Sequence, residues 1–487
     1  MSESAPAHPA RRRTKIVATL GPATDDPKVL EAMVRAGMDV ARINFSHGRP
    51  GEVARRVEAV RAAAAACKGH VGILGDLQGP KLRIQRFADG EVMLEDGVAF
   101  ALDPDIGAAA GTVEAVGLAY DQLADDLHVG DTLLLDDGQI ILEVTALRGR
   151  RIETRVRTGG TLKDLKGLNR QGGGLSAPAL TDKDREDIVS AAELDLDYVA
   201  VSFVRDAADL EEARRLLREA GSDARLVAKI ERVEAVRNLE ALLGACDVIM
   251  VARGDLGVEM GYAELPGIQK GMIRSSRDRH RVVITATQMM ESMITNALPT
   301  RAEVSDVANA VMDGTDAVML SAETAVGRYP VRAIEAMAEV CLAAEKHLTE
   351  RGRARHRMYD RFERVDEAIA MAVMYTANHL RVRAIIALTE SGATTRWMSR
   401  IRSDIPIYAF TPHEATARRV TLYRGVYPVQ FAPATSDAAG VYRCVFDELL
   451  RRELVRVGDR VIFTQGDLRG VAGRTNAMKI LEVTATL

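Results

Sequence analysis

Only four cysteines occur in 487 residues, Cys67, Cys246, Cys341 and Cys444, with no C-x-x-C pair and no histidine cluster beside them. That excludes a zinc ribbon or a disulfide framework and fits a reducing, cytoplasmic setting. There is no excess of positive charge either: 65 Lys and Arg stand against 69 Asp and Glu, a formal charge of −4. Surfaces that track phosphates usually carry a basic excess, so nucleic acid is not expected as a partner. Long apolar runs are missing too. Stretches such as residues 248–252 and 198–204 fall far short of the ~20 residues needed to cross a bilayer, so no membrane partner is expected. Arg11, Arg12 and Arg13 are followed by no hydrophobic stretch, which is not the pattern of a secretory signal. Residues 1–13 are read as a disordered tail.

What is present is a globular composition, 47% apolar and 28% charged, long enough for about three domains. From Thr14 onward, short apolar β-branched runs alternate with longer amphipathic stretches. The runs fall at residues 15–20, 40–45, 71–77, 198–204, 225–230, 247–252, 281–287 and 317–321. Most are apolar on both faces, as covered parallel strands should be. Eight such units suggest a (β/α)8 barrel or a large doubly wound sheet, and the count favours the barrel.

Between Leu77 and Tyr198 the character changes. Residues 91–94, 132–135, 139–144 and 151–156 read as short strands, with a turn at Asp137-Gly138. This predicts a small all-β domain, residues 78–175, inserted after the third barrel strand. Gly79-Pro80 and Gln171-Gly172-Gly173-Gly174 read as its hinges, so it can act as a lid. The barrel then takes residues 14–77 and 176–346. Residues 347–487 read as a C-terminal α/β domain, with a helix at 365–379 and strands at 384–388, 406–410 and 460–464.

In such a barrel the functional groups lie at the C-terminal ends of the strands. Strand two ends with Arg42, Asn44 and Ser46 on one side and Ile43 and Phe45 on the other, followed by His47. Strand three ends at Asp76, strand five at Lys229 and Glu231, strand six at Arg253-Gly254-Asp255, strand seven at Thr285, Thr287 and Gln288, and strand eight at Ser321 and Glu323. One such pair is an ordinary salt bridge, but six polar strand ends converging on one mouth call for a ligand. Glu231 and Asp255 are hard oxygen ligands suited to Mg²⁺, with Lys229 and Arg42 supplying positive charge. That combination is what phosphoryl transfer requires. No G-x-x-x-x-G-K-[ST] occurs, and no protein-kinase set of Gly-rich loop, H-R-D and D-F-G.

Several stretches resemble the pyruvate kinase family: TKIVATLGP at 14–22, GMDVARINFSHG at 37–48, VAKIE at 227–231, MVARGDLGVE at 250–259, TATQMMESM at 285–293, and residues 299–323 ending DGTDAVMLSAET. The resemblance implies transfer of the phosphoryl group of phosphoenolpyruvate to ADP, giving pyruvate and ATP. It also implies Mg²⁺ (or Mn²⁺) on Glu231 and Asp255, Lys229 along the phosphoryl path, and Arg42 on the substrate phosphate. Backbone amides at Gly254 and Asp255 would hold substrate, Thr287 would lie near the enolate carbon, and Ser321 and Glu323 would belong to the proton relay. The nucleotide would lie across Asn44, Ser46, His47 and Arg83, with Lys166 reaching in from the inserted domain. A homotetramer is the family expectation.

Two further expectations concern control. The loop Thr389-Glu390-Ser391-Gly392-Ala393-Thr394-Thr395 joins a strand to a helix, and its hydroxyls and glycine make a phosphate cradle where the family has its effector site. Thr389, Ser391, Gly392, Ala393 and Thr394 are the candidate effector residues. Glu390 would repel a second phosphate, so a monophosphate activator such as AMP or a sugar monophosphate is expected. K⁺-requiring members of the family have Thr after the strand-three aspartate and Glu four residues later; here Leu77 and Lys81 stand there. The Lys81 ammonium would replace K⁺, so K⁺ should not be required. Two rival readings are a metal-dependent pyruvate-enolate lyase or aldolase, which has no use for a nucleotide lid, and a non-catalytic paralogue, which need not keep Lys229, Glu231, Asp255 and Thr287.

Overall fold

A computed structural model describes residues 11–46, 50–80, 82–351, 361–433, 435, 437–466 and 473–484. Eight strands close into a barrel: β1 (Lys15–Thr19), β2 (Val40–Asn44), β3 (Gly72–Asp76), β4 (Tyr198–Val201), β5 (Arg225–Ile230), β6 (Val248–Ala252), β7 (Val282–Ala286) and β8 (Ala317–Leu320). Neighbours in sequence are neighbours in the barrel, and β1 also pairs with β8, Lys15 facing Ala317. Each of the eight apolar runs became one strand. Every residue of β1, β3, β4, β6, β7 and β8 is buried, as strands covered on both faces must be.

The chain divides into two compact units, residues 1–75, 194–198 and 273–487, and residues 76–193 and 199–272. The second holds the inserted all-β region. A six-stranded sheet there includes Thr132–Leu135, Ile140–Arg148 and Arg151–Thr158, packed on Leu133, Leu142, Val144, Ile152 and Val156. A two-stranded sheet pairs Glu91–Leu94 with Gly160–Lys163. The short strands Ala99–Leu102, Ala115–Val116, Gly160–Lys163 and Leu168–Arg170 go beyond those expected from sequence.

The first unit holds the C-terminal α/β region, a five-stranded sheet in the order Val426–Gln430, Ile407–Thr411, Ala384–Leu388, Arg460–Gln465 and Ala477–Glu482. The first and last of these were not foreseen. Pro428 interrupts the first, which is tolerated because that strand lies at the sheet edge.

A fourfold device at the foot of the barrel was also passed over in the sequence. Asp39, Asp197, Asp247 and Asp316 each stand one residue before an even-numbered strand. Each carboxylate accepts a backbone N–H from the preceding odd strand: Ile16 at 2.8 Å, Ile73 at 2.9 Å, Leu226 at 3.0 Å and Val283 at 3.0 Å. Each aspartate's own N–H returns to the carbonyl of that same residue. A base completes each set: Arg12 for Asp39, Arg418 for Asp197, Arg214 for Asp247 and Arg400 for Asp316. With Arg13 bound to Glu345 as well, residues 12 and 13 are anchored and do not belong to the disordered tail expected at 1–13. Each donor is the second residue of its strand, and a short carboxylate one residue ahead of the next strand satisfies that backbone N–H.

Candidate active site

In the second unit, the charges at the ends of β3 and β5 meet. Lys229 is half-turned from the core on β5; its Nζ lies 2.9 Å from Glu231 Oε1 and 3.3 Å from Asp76 Oδ1. The ammonium also donates to Ser202 Oγ at 2.7 Å, and that hydroxyl donates to the Leu77 carbonyl at 2.7 Å. Glu231 is buried, and its Oε2 accepts the Phe203 N–H at 2.8 Å. Phe203 holds a left-handed backbone (φ 54°), unusual for a bulky residue and a sign that the turn after β4 is constrained. Ser202 was missed in the sequence reading. Its signal was the first polar residue after an otherwise apolar β4.

Burial pushes the Glu231 carboxyl above the ordinary carboxylate range; Lys229 pulls it down, and the negative charge of Asp255 pushes it up again. Asp255 lies in the first turn of the helix Arg253–Met260 that follows β6. Two carboxylates that feel each other's charge, one of them costly to charge in isolation, fit a divalent cation. No group of three or more His, Cys, Asp or Glu placed to hold a metal is found among the described residues. A cation here would take its other ligands from substrate and water.

That helix also touches the glycine run at residues 172–174. The Glu259 carbonyl accepts the Gly172 N–H at 3.0 Å, and its carboxylate accepts the Val233 N–H at 3.1 Å. Burial raises the Glu259 carboxyl to about 7 against the pull of the Val233 amide and Arg232. Within the inserted region, Arg83 Nη1 donates to the Leu165 carbonyl at 2.8 Å, and Lys166 Nζ sits 2.7 Å from Asp136 Oδ1. His47 and Lys81 lie outside the described residues.

In the first unit, Arg42 Nη1 donates to Thr19 Oγ1 at 2.9 Å, and Thr19 Oγ1 donates to the Leu320 carbonyl at 2.9 Å. A threonine at the end of β1 thus links Arg42 to β8, a role the sequence reading did not assign. Arg42, Asn44 and Ser46 alternate with buried Ile43 and Phe45, as expected, and Asn44 Oδ1 accepts the Ser46 N–H at 3.0 Å. Glu323 is buried, held by the Ser321 N–H at 2.6 Å and the Met290 N–H at 3.2 Å. Thr287 and Gln288 both hold left-handed backbone, φ 65° and 52°. For a β-branched residue that conformation is strained, and the Thr287 hydroxyl donates to the Ala286 carbonyl at 2.6 Å.

Two family models match this chain. The model for the pyruvate kinase barrel domain matches residues 11–334, and that for the pyruvate kinase alpha/beta domain matches residues 367–481. The chain belongs to the pyruvate kinase family. It is 54% identical to pyruvate kinase II of Salmonella typhimurium over 97% of this chain and 99% of that protein. Identity is 50% with the pyruvate kinase of Buchnera aphidicola subsp. Acyrthosiphon pisum, over 97% and 99%. It is 42% with that of Geobacillus stearothermophilus, over 96% of this chain and 80% of the relative. The family's reaction, phosphoryl transfer from phosphoenolpyruvate to ADP in glycolysis, is therefore the activity of this chain. Pyruvate kinases are generally Mg²⁺-dependent, and the lyase reading has no support. No helix among the described residues is long and apolar enough to cross a membrane.

The C-terminal region contains a cavity of about 210 Å³ whose wall includes Thr389, Ser391, Ala393, Thr394, Phe431 and Arg474. Gly392 has φ 77°, and a Cβ there would come within 2.8 Å of Val420. Its N–H donates to Thr389 Oγ1 at 2.9 Å. Glu390, on the same wall, is 2.6 Å from His413 Nε2, a partner the sequence did not reveal.

Proposed function

We propose that Lys229 neutralises the phosphoryl group as it passes from phosphoenolpyruvate to ADP, beside a Mg²⁺ or Mn²⁺ held by Glu231 and Asp255. The observation that carries this is the seating of Lys229 Nζ against Asp76, Glu231 and Ser202, which fixes the ammonium at the end of β5. A charge held in place costs no reorganisation as the reaction proceeds. The cation, when bound, supplies further neutralisation of substrate oxygens.

Arg42, oriented by Thr19, binds the substrate phosphate. Amides of Gly254 and Asp255 hold substrate at the start of their helix. Thr287 presents its hydroxyl to the enolate carbon, and Ser321 and Glu323 belong to the relay that delivers the proton there. Asn44, Ser46, His47, Arg83 and Lys166 take the nucleotide under the inserted lid. Residues 14–77 with 176–346, 78–175 and 347–487 act as catalytic barrel, lid and regulatory domain.

Leu77 and Lys81 replace the K⁺ requirement with a fixed charge. The cavity near Thr389, Ser391, Gly392, Ala393 and Thr394 takes a monophosphate activator, AMP or a sugar monophosphate. The enzyme works as a cytoplasmic homotetramer. ATP formation from phosphoenolpyruvate and ADP, followed in K⁺-free buffer before and after removal of Mg²⁺ with EDTA, tests the core of this reading. Activity that survives EDTA would overturn the metal assignment, and a many-fold rise on adding KCl would overturn the Lys81 assignment.

A further inference from the structure

One short helix and one ion pair join the C-terminal cavity to the foot of the two strands that carry the proton relay. Ala393 and Thr394 line the cavity and open the helix Ala393–Ser399, which ends at Arg400. Its start is pinned to the cavity wall: Thr394 Oγ1 shares a hydrogen bond with Thr475 Oγ1 at 2.6 Å, and Thr395 Oγ1 donates to the Gly392 carbonyl at 2.7 Å. At the other end, Arg400 is buried and grips two strand feet at once. Its Nη1 donates to the carbonyl of Arg281, just before β7, at 2.7 Å, and to Oδ2 of Asp316, just before β8, at 2.7 Å. Its Nη2 pairs with Asp316 Oδ1. Asp316 also takes the Val283 N–H of β7, and its carbonyl takes the Lys15 N–H of β1. Midway along, Trp397 packs edge-on against His280, with ring centroids 4.2 Å apart.

We propose that Arg400 is a positioning residue that ties occupancy of the cavity to the placement of Thr287, Ser321 and Glu323, acting through Asp316 and strands β7 and β8. The inference rests on the effector reading of the cavity and on the relay roles given above. A helix of this length is a stiff rod of roughly 10 Å, so a ligand that shifts its first turn shifts Arg400. The buried, two-pronged pair moves as a unit, because parting it would strand both charges. Asp316 then carries β8 and the Val283 N–H of β7 with it. Arg418 makes a comparable pair with Asp197, but at the foot of β4, which is not followed by Thr287, Ser321 or Glu323.

The test uses the full-length enzyme with Mg²⁺, titrated with AMP and separately with glucose 6-phosphate. Three signals are followed: emission of Trp397, the single tryptophan, ATP formation at limiting phosphoenolpyruvate, and detritiation of the pyruvate methyl group. The wild type should show a saturable emission change with one of these probes, and a several-fold rise in both rates at the same half-saturation. Arg400→Lys keeps the charge and loses the fork; it should keep the emission titration and lose the activation of both rates. Activation of ATP formation with detritiation unmoved, an emission change with neither rate moved, or full activation of the folded variant would overturn the inference and leave the cavity reading standing. No response of the wild type to either probe would overturn the cavity reading and the inference together. If Arg400→Lys fails to fold, wild-type detritiation left unmoved by a probe that activates ATP formation would still overturn the inference.

Discussion

The foot and the mouth of the barrel use the same residue types in opposite ways. At the foot, each of the four aspartates accepts a strand N–H and pairs with a basic side chain, Arg418 reaching Asp195 and Glu414 as well as Asp197. Burial alone would raise the Asp247 carboxyl, yet Arg225, Arg214 and the Leu226 amide hold it below the ordinary range. Asp197 is more enclosed, and there burial prevails over Arg418 and lifts the carboxyl to about 6. At the mouth, Lys229 faces two carboxylates at once, and Glu231 is pushed upward with Asp255 adding to the push. A carboxylate with its own donors serves as a fastener. At the mouth, one ammonium serves two carboxylates, Asp76 and Glu231.

The sharpest break of this comparison is at Lys229. Lys229→Met should lower ATP formation by about 10³-fold while sparing metal-dependent detritiation of pyruvate. A folded, metal-binding variant that has lost detritiation would contradict a role confined to the phosphoryl group. At the foot, Asp197→Asn weakens one side of a buried pair, and unfolding in urea should cost roughly 3 kcal/mol less, with kcat at saturating substrate little changed. A parallel fall in kcat would show that the foot is more than a fastener.

Glu259 offers a pH test between these extremes. Its folded carboxyl titrates near about 7 against 4.5 for a free glutamate. The folded state therefore binds the proton more tightly, and its contribution to stability is complete below pH 4.5 and lost as pH rises through about 7. Glu259→Gln should flatten the urea-midpoint profile across that window and be more stable than wild type at pH 8 by about 3 kcal/mol. An unchanged profile would move the titration elsewhere. The smallest effect concerns monovalent ions: Leu77→Thr with Lys81→Glu should make KCl stimulate the rate about tenfold over tetramethylammonium chloride, equivalent to ~1.4 kcal/mol. The wild type should be indifferent to the exchange.

Much of the fold could be read in advance because parallel strands buried on both faces leave continuous apolar runs, and eight of these survive intact in the sequence. The strands that escaped notice lack that signature. Ala115–Val116 is two residues long, and Pro428 breaks the pattern of Val426–Gln430. At the site, charged strand ends such as Lys229 and Glu231 announced themselves, but hydroxyls did not. Thr19 and Ser202 look like ordinary strand residues until Arg42 and Lys229 are found donating to them. The aspartates of the foot were visible as a repeated D before an apolar run. Their meaning required the reciprocal bond to the preceding strand, which no linear pattern displays.

The pairing of β1 with β8 sets a schedule for the newborn chain. Residue 15 cannot find its partner at 317 until some 300 further residues have been made, roughly 15–60 s at ~5–20 residues per second. Through that interval one edge of β1 has no strand beside it, an open template for another chain. Local pairings such as Ile140–Arg148 with Arg151–Thr158 need no such wait. Ribosome-bound intermediates should therefore protect the inserted β region long before they protect the first strand.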